Sequence, residues 1–191
     1  MIKNQTPLSA ARKFEREASK QISEKDRPLI HLTPMVGWMN DPNGFCYYQG
    51  EYHLFYQYHP YNTVWGPMHW GHAKSRDLLR STYLPAALAP DTEADAGGCF
   101  SGTALPLEDG RLMLMYTGVQ PAGTNHKELQ AQCVAIGDGV DFQKLEQNPV
   151  ISGADLPKGY SENDFRDPKL WRGKDGKFYC AAGNLHEERQ G

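Results

Sequence analysis

Ala11, Phe14, Ala18 and Ile22 recur at three- and four-residue intervals in an otherwise charged stretch, which predicts one amphipathic helix from about Leu8 to Lys25. Thr6 is placed to cap its N-terminus and Pro7 fits the first helical position. Residues 1–28 are therefore expected to form a helical arm that docks through Phe14 and Ile22 and keeps its other faces in water; a partner-binding helix is the sharper alternative. After Pro28 the pattern changes to short runs rich in Tyr, Phe, Trp and Val, interrupted by glycine-containing turns, which is all-β texture. Phe45–Gln49 and Tyr52–Tyr58 flank Gly50-Glu51, a Gly-X pair suited to a type II′ hairpin. Ser101–Leu107 leads through Asp109-Gly110 into Arg111–Thr117, and Pro168–Trp171 leads through Asp175-Gly176 into Lys177–Ala182.

Gly50, Gly110 and Gly176 thus recur at intervals of 60 and 66 residues, each opening a strand, with further strands expected at Met68–Ser75 and Leu129–Ile136. A loose repeat of hairpins suits the four-stranded blades of a propeller, of which the chain would hold roughly three where a closed ring needs about four to eight. Periodicity alone leaves a β-sandwich open and favours it.

Composition narrows the partner rather than the fold. The chain has 191 residues, 39% of them hydrophobic and 11% aromatic, enough for one folded core. A net charge of -3 with scattered Lys and Arg gives no footprint for nucleic acid or an anionic membrane, so a small polar ligand fits better. No apolar run is long enough to span a bilayer, and Met1–Thr6 lacks a signal-peptide core, which leads to the expectation of a cytoplasmic protein. Cys46, Cys99, Cys133 and Cys180 form no C-x-x-C pair and are expected to be reduced, mostly core thiols. His69 and His72 are the nearest approach to a metal motif, but three residues apart on a strand they point to opposite faces, so packing or hydrogen bonding is expected and no metal or cofactor.

Two acid-proline pairs carry the chemistry. In Trp38-Met39-Asn40-Asp41-Pro42-Asn43-Gly44 the proline holds Asp41 extended and offers no amide donor, while Trp38 supplies a flat wall of the kind sugar rings stack on. In Phe165-Arg166-Asp167-Pro168 the same arrangement has a guanidinium next to the acid. Each pair introduces a repeat hairpin, and equivalent positions of successive propeller blades converge on the central channel, which would bring Asp41 and Asp167 to one pocket. Paired carboxylates with aromatic walls suit glycosidic-bond cleavage.

Trp38–Gly44, Phe55-Tyr56-Gln57-Tyr58, Trp65–Ala73, Phe100-Ser101-Gly102 and Phe165–Pro168 resemble, in order, the motifs of glycoside hydrolase family 32, the invertases and sucrose-6-phosphate hydrolases. The resemblance covers about His31 to Ala182 and raises the propeller above the sandwich: residues 29–191 would be an incomplete part of a five-bladed propeller. It implies Asp41 as nucleophile in a retaining mechanism and Asp167 as the stabiliser of an oxocarbenium-like transition state. By the same resemblance Arg166 and Asn40 orient the sugar, Gln57, Trp65, Phe100 and Ser101 line its pocket, and Trp38 and Met39 complete the floor.

The family's third carboxylate, in a Glu-Cys-Pro motif, has no match. Glu187 and Glu188, in His186–Gly191, lack the following cysteine and are read as a solvated end. The expectation is an N-terminal piece with an open sheet edge, which hydrolyses sucrose feebly or not at all by itself. A tryptophan usual in the family is missing around Ser81, which touches packing rather than chemistry. The rival readings are a non-catalytic fructoside-binding fragment and a fructan hydrolase or fructosyltransferase. The sequence sets neither the oligomeric state nor the choice between sucrose and its phosphate ester.

Overall fold

The computed structural model describes residues 5–124, 127–186 and 188. Among the described residues one α-helix, α1 (Pro7–Ala18), precedes ten strands. β1 (Trp38–Tyr48), β2 (Glu51–His59), β3 (His69–Ser75) and β4 (Ser81–Leu88) form an antiparallel meander in that order. β5 (Gly98–Pro106), β6 (Leu112–Gln120), β7 (Leu129–Gly137) and β8 (Phe142–Lys144) repeat it, and β9 (Arg166–Arg172) pairs with β10 (Phe178–Gly183) as a two-stranded sheet. The first strands of the three sheets lie side by side, β1 against β5 and β5 against β9. Their free edges therefore meet along one line, and that line is where the site forms.

The core lies between sheets. Phe55, Trp70 and Leu88 of the first sheet interlock with Cys99, Leu112, Leu114, Tyr116 and Cys133 of the second, and Met115 and Val134 pack on Leu170 of β9. Cys46 is half-buried and Cys180 is exposed, so two of the four thiols, Cys99 and Cys133, are core residues. Lys144 of β8 reaches across to bond Asp91 at 2.5 Å, Asp95 at 2.6 Å and the Ala89 carbonyl at 2.6 Å, tying the short outer strand to the connection between sheets. His69 donates to the Pro67 carbonyl, whereas His72 and His53 share a hydrogen bond of 2.9 Å. Among the described residues no cluster of three or more His, Cys, Asp or Glu could hold a metal ion, and no helix is long and apolar enough to cross a membrane.

Three local expectations need correction. The helix ends at Ala18 and gives way to short 3₁₀ turns at Ser19–Gln21 and Glu24–Asp26 rather than running to Lys25. Its docking face is Ala11 and Glu15, both buried, while Phe14 and Ile22 stay partly exposed, Phe14 lying edge-on to Tyr61. The reason is the partner surface. β4 is a sheet edge, and Ala86 on it offers an unpaired N–H to Glu15 Oε1 (2.9 Å) and an unpaired carbonyl to Arg12 Nε (2.8 Å). The first hairpin turns at Gln49-Gly50, with φ of +48° and +86°, so it is of the type I′ class with two left-handed residues, not II′ at Gly50-Glu51.

Candidate active site

Each of the three inner strands has an irregularity beside the others': β1 is bulged twice, and its first bulge, between Met39 and Pro42, adjoins the single bulges of β5 and β9. Between Met39 and Pro42 of β1 the partner strand advances only from Tyr58 to Tyr56, so an extra residue is inserted where Asn40 and Asp41 stand. Between Phe100 and Gly102 of β5 the extra residue is Ser101. Between Arg166 and Lys169 of β9 it falls at Asp167-Pro168. A bulge frees a strand residue from the ladder and re-aims its side chain. Pro42 and Pro168 suit such positions because an edge or bulge asks for no amide donor there. Gly102 is obligatory for another reason: a Cβ on it would lie 2.1 Å from the Met115 carbonyl oxygen, so only glycine lets β5 close onto β6 beside the bulge.

The side chains so aimed line a cavity of about 230 Å³, bounded by Trp38, Asn40, Asp41, Gln57, Trp65, Met68, Phe100, Ser101, Gln130, Arg166 and Asp167. Ser101 Oγ donates to Asp41 Oδ2 at 3.2 Å. Gln57, almost fully buried, donates from Nε2 to the Cys99 carbonyl at 3.0 Å, which leaves its Oε1 to accept. Trp65 stands edge-on to Phe100, ring centres 6.5 Å apart, and remains 61% exposed, an aromatic rim rather than a core residue. Arg166 is fixed by Asp164 at 3.1 Å and Gln130 Oε1 at 3.4 Å, with Asp167 Oδ2 at 3.8 Å from its Nε. The Asp167 carboxyl is pushed above the usual carboxylate range, first by partial burial and further by the Asp41 charge, against the pull of Arg166. Two acids from opposite ends of the chain therefore feel one another across a single hollow.

The residues matched by the model of the glycosyl hydrolases family 32 N-terminal domain are 31–191. The chain belongs to glycoside hydrolase family 32. A sucrose-6-phosphate hydrolase of Zymomonas mobilis is 45% identical over 175 residues, covering 90% of this chain and 33% of the relative. The solved β-fructofuranosidase of Bombyx mori superposes with a TM-score of 0.82 at 44% identity, over 95% of this chain and 37% of that one. A variant of that insect enzyme, solved in complex with sucrose, matches equally well, with a TM-score of 0.82 at 43% identity and the same coverage. The chain thus spans about a third of the length of the curated relatives it matches, and its meandering sheets are those of the family 32 β-propeller.

Nine of the ten residues singled out from the motifs surround the cavity: Trp38, Asn40, Asp41, Gln57, Trp65, Phe100, Ser101, Arg166 and Asp167. Met39 does not. It points the other way from its neighbours, as strand alternation requires, and packs with Leu8, Met35 and Tyr58 in the cluster beneath α1. Met68, within the Trp65–Ala73 motif but not singled out from it, and Gln130, outside all five motifs, line the cavity as well. A signal for Gln130 was available, since Gln130 and Gln132 put two amides on one face of an otherwise apolar strand. Glu187 lies outside the described residues, and Glu188 is exposed with its amide on His186. Among the described residues Asp41 and Asp167 are the carboxylates that line the cavity.

Proposed function

We propose that this chain carries the fructosyl-binding half of a retaining β-fructofuranosidase acting on sucrose or sucrose 6-phosphate. The observation that carries this is the placement of Asp41 and Asp167 on one cavity walled by Trp38, Trp65 and Phe100. In this reading an Asp41 oxygen attacks C2 of the fructosyl unit as the C2–O bond to the leaving sugar breaks, giving a fructosyl ester that water later opens with net retention. Ser101 keeps the attacking carboxylate in one orientation. Asp167 accepts hydrogen bonds from ring hydroxyls, bonds that strengthen as positive charge develops in the ring. Arg166 and Asn40 hold that end of the sugar, Gln57 Oε1 accepts a further hydroxyl, and the tryptophan faces shed water from the ring.

The departing alkoxide also needs a proton, and no third carboxylate lines the cavity among the described residues. A positioned general acid contributes about 10²- to 10⁴-fold in rate, so the 191-residue chain should bind fructosides yet release reducing sugar at least about 10²-fold more slowly than a complete invertase. Calorimetry with fructose and sucrose, alongside a reducing-sugar assay and mass spectrometry of acid-quenched mixtures, tests the reading. Binding, slow release and a fructosyl adduct that disappears in Asp41→Ala are expected. A chain that binds neither sugar, or an Asp41→Ala variant that still forms the adduct, would refute it. Binding with no adduct at any time would instead favour a fructoside-binding role without chemistry.

A further inference from the structure

Asp167 has a backbone φ of +60°, a conformation unusual for any residue with a side chain, and it sits where its strand loses register. Such a residue persists only where its surroundings over-determine it. Its ladder neighbours are spoken for: Arg166 pairs with Gly183 and Lys169 with Ala181, and the bulge leaves the Asp167 N–H with no strand partner. That N–H instead donates to Thr117 Oγ1 at 3.1 Å. Thr117 lies in β6, and its own hydroxyl hydrogen goes to Gln132 Oε1 at 3.2 Å, directly opposite in β7. Gln132 then donates from Nε2 to the Phe165 carbonyl at 2.8 Å.

The circuit has a single consistent direction. Phe165 O must accept, so the amide nitrogen of Gln132 faces it; Gln132 therefore presents Oε1 to Thr117, and the threonine hydroxyl keeps its lone pairs for Asp167. Both Thr117 and Gln132 are fully buried, and neither lines the cavity. We propose that Thr117 and Gln132 are positioning residues: a buried hydrogen-bonded clamp in the second sheet that grips the chain on both sides of Arg166 and holds Asp167 in its left-handed conformation, aimed at the sugar. The proposal rests on the reading of Asp167 as a sugar-binding carboxylate, and extends it to two residues that touch no ligand.

The test is fructose affinity of the 191-residue chain by calorimetry, with hydrogen exchange at the Asp167 amide as a second readout. Thr117→Val keeps the shape and removes the acceptor, Thr117→Ser keeps the acceptor, and Gln132→Met breaks the other end. Losing a buried hydrogen bond of this kind should weaken binding by about tenfold in Thr117→Val and Gln132→Met, with Thr117→Ser within about threefold of the parent. The Asp167 amide should be protected in the parent and in Thr117→Ser and exchange fast in Thr117→Val. In an Asp167→Asn background Thr117→Val should cost no further affinity, because the clamp acts only through that side chain. Cys133→Ala, buried beside Gln132 and outside the clamp, controls for general destabilisation and should leave affinity unchanged. Parent affinity in Thr117→Val, or an equal loss in Cys133→Ala, overturns the clamp. An Asp167→Asn variant that binds like the parent, or a parent that binds no fructose, overturns instead the sugar-binding reading, and the exchange rates then decide the clamp alone.

Discussion

At the scale of single residues, function here is written as local discomfort. Asp167 combines a left-handed backbone, partial burial and a second carboxylate across the cavity, and each of these favours its protonated form or another residue altogether. A folded-state pKa raised above the unfolded one means that the ionised group costs stability at neutral pH, and that the cost fades as pH falls through the folded pKa. Asp167→Asn tolerates the same φ and carries no charge to desolvate, so it should melt higher than the parent at pH 7, with the gap closing by pH 4, while losing fructose affinity. Thermal melts at both pH values check this, and a lower melting point at pH 7 would show that the Arg166 contact outweighs burial. The same logic explains what was legible. An acid followed by proline inside strand-like sequence can sit only at an edge or a bulge, so Asp41 and Asp167 advertise themselves. Thr117 and Gln132 look like ordinary strand residues, because their role exists only once two sheets meet.

At the scale of elements, hairpins with glycine turns could be read from alternation, and six of the ten strands are foreseen that way in β1, β2, β5, β6, β9 and β10, with β3 and β7 between them. β4 and β8 carry weak patterns. β4 contains Pro85 and is a sheet edge, and β8 has three residues. The helix was visible by period but its docking was not, since apolar spacing says nothing of a neighbour's unpaired backbone. Arg12 shows what decides it: besides the Ala86 carbonyl of the first sheet it holds Asp141 at 2.5 Å and the Val140 carbonyl at 3.1 Å, on the turn between β7 and β8. One guanidinium therefore straps two sheets. Arg12→Ala should cost about 1.5–3 kcal/mol, the range for charge-assisted hydrogen bonds, and Arg12→Lys should recover only part of it because an ammonium cannot span three acceptors with a planar fork. Urea unfolding of the three chains measures the difference; an Arg12→Ala chain as stable as the parent would mean that α1 is held by Glu15 and by the packing of Leu8, Ala11 and Ala18 without the guanidinium.

At the scale of the whole molecule, the sheets are joined by a core that includes ionisable rings kept neutral by burial. His69 is pushed down to about 4 and His72 well below its ordinary value, each chiefly by desolvation, and His53 is lowered for the same reason. His72 stacks on Phe55 at 4.0 Å, shares a hydrogen bond with His53 and lies near Phe142, so that pair sits where the first sheet meets the second. A depressed folded pKa contributes stability that is fully present above the unfolded value near 6.5 and is lost as pH falls toward the folded one, because the unfolded chain takes up the proton first. For His69 alone this amounts to about 2 kcal/mol by pH 5. Glu15, raised by burial against β4, and Asp167 work in the opposite sense at lower pH, which limits the loss without reversing it. The urea midpoint should therefore fall between pH 7 and pH 5, and His69→Gln should flatten that dependence, since the amide can still donate to the Pro67 carbonyl and has no proton to gain. A midpoint independent of pH over this interval would mean that the sheet interface admits water and leaves these imidazoles near their ordinary values.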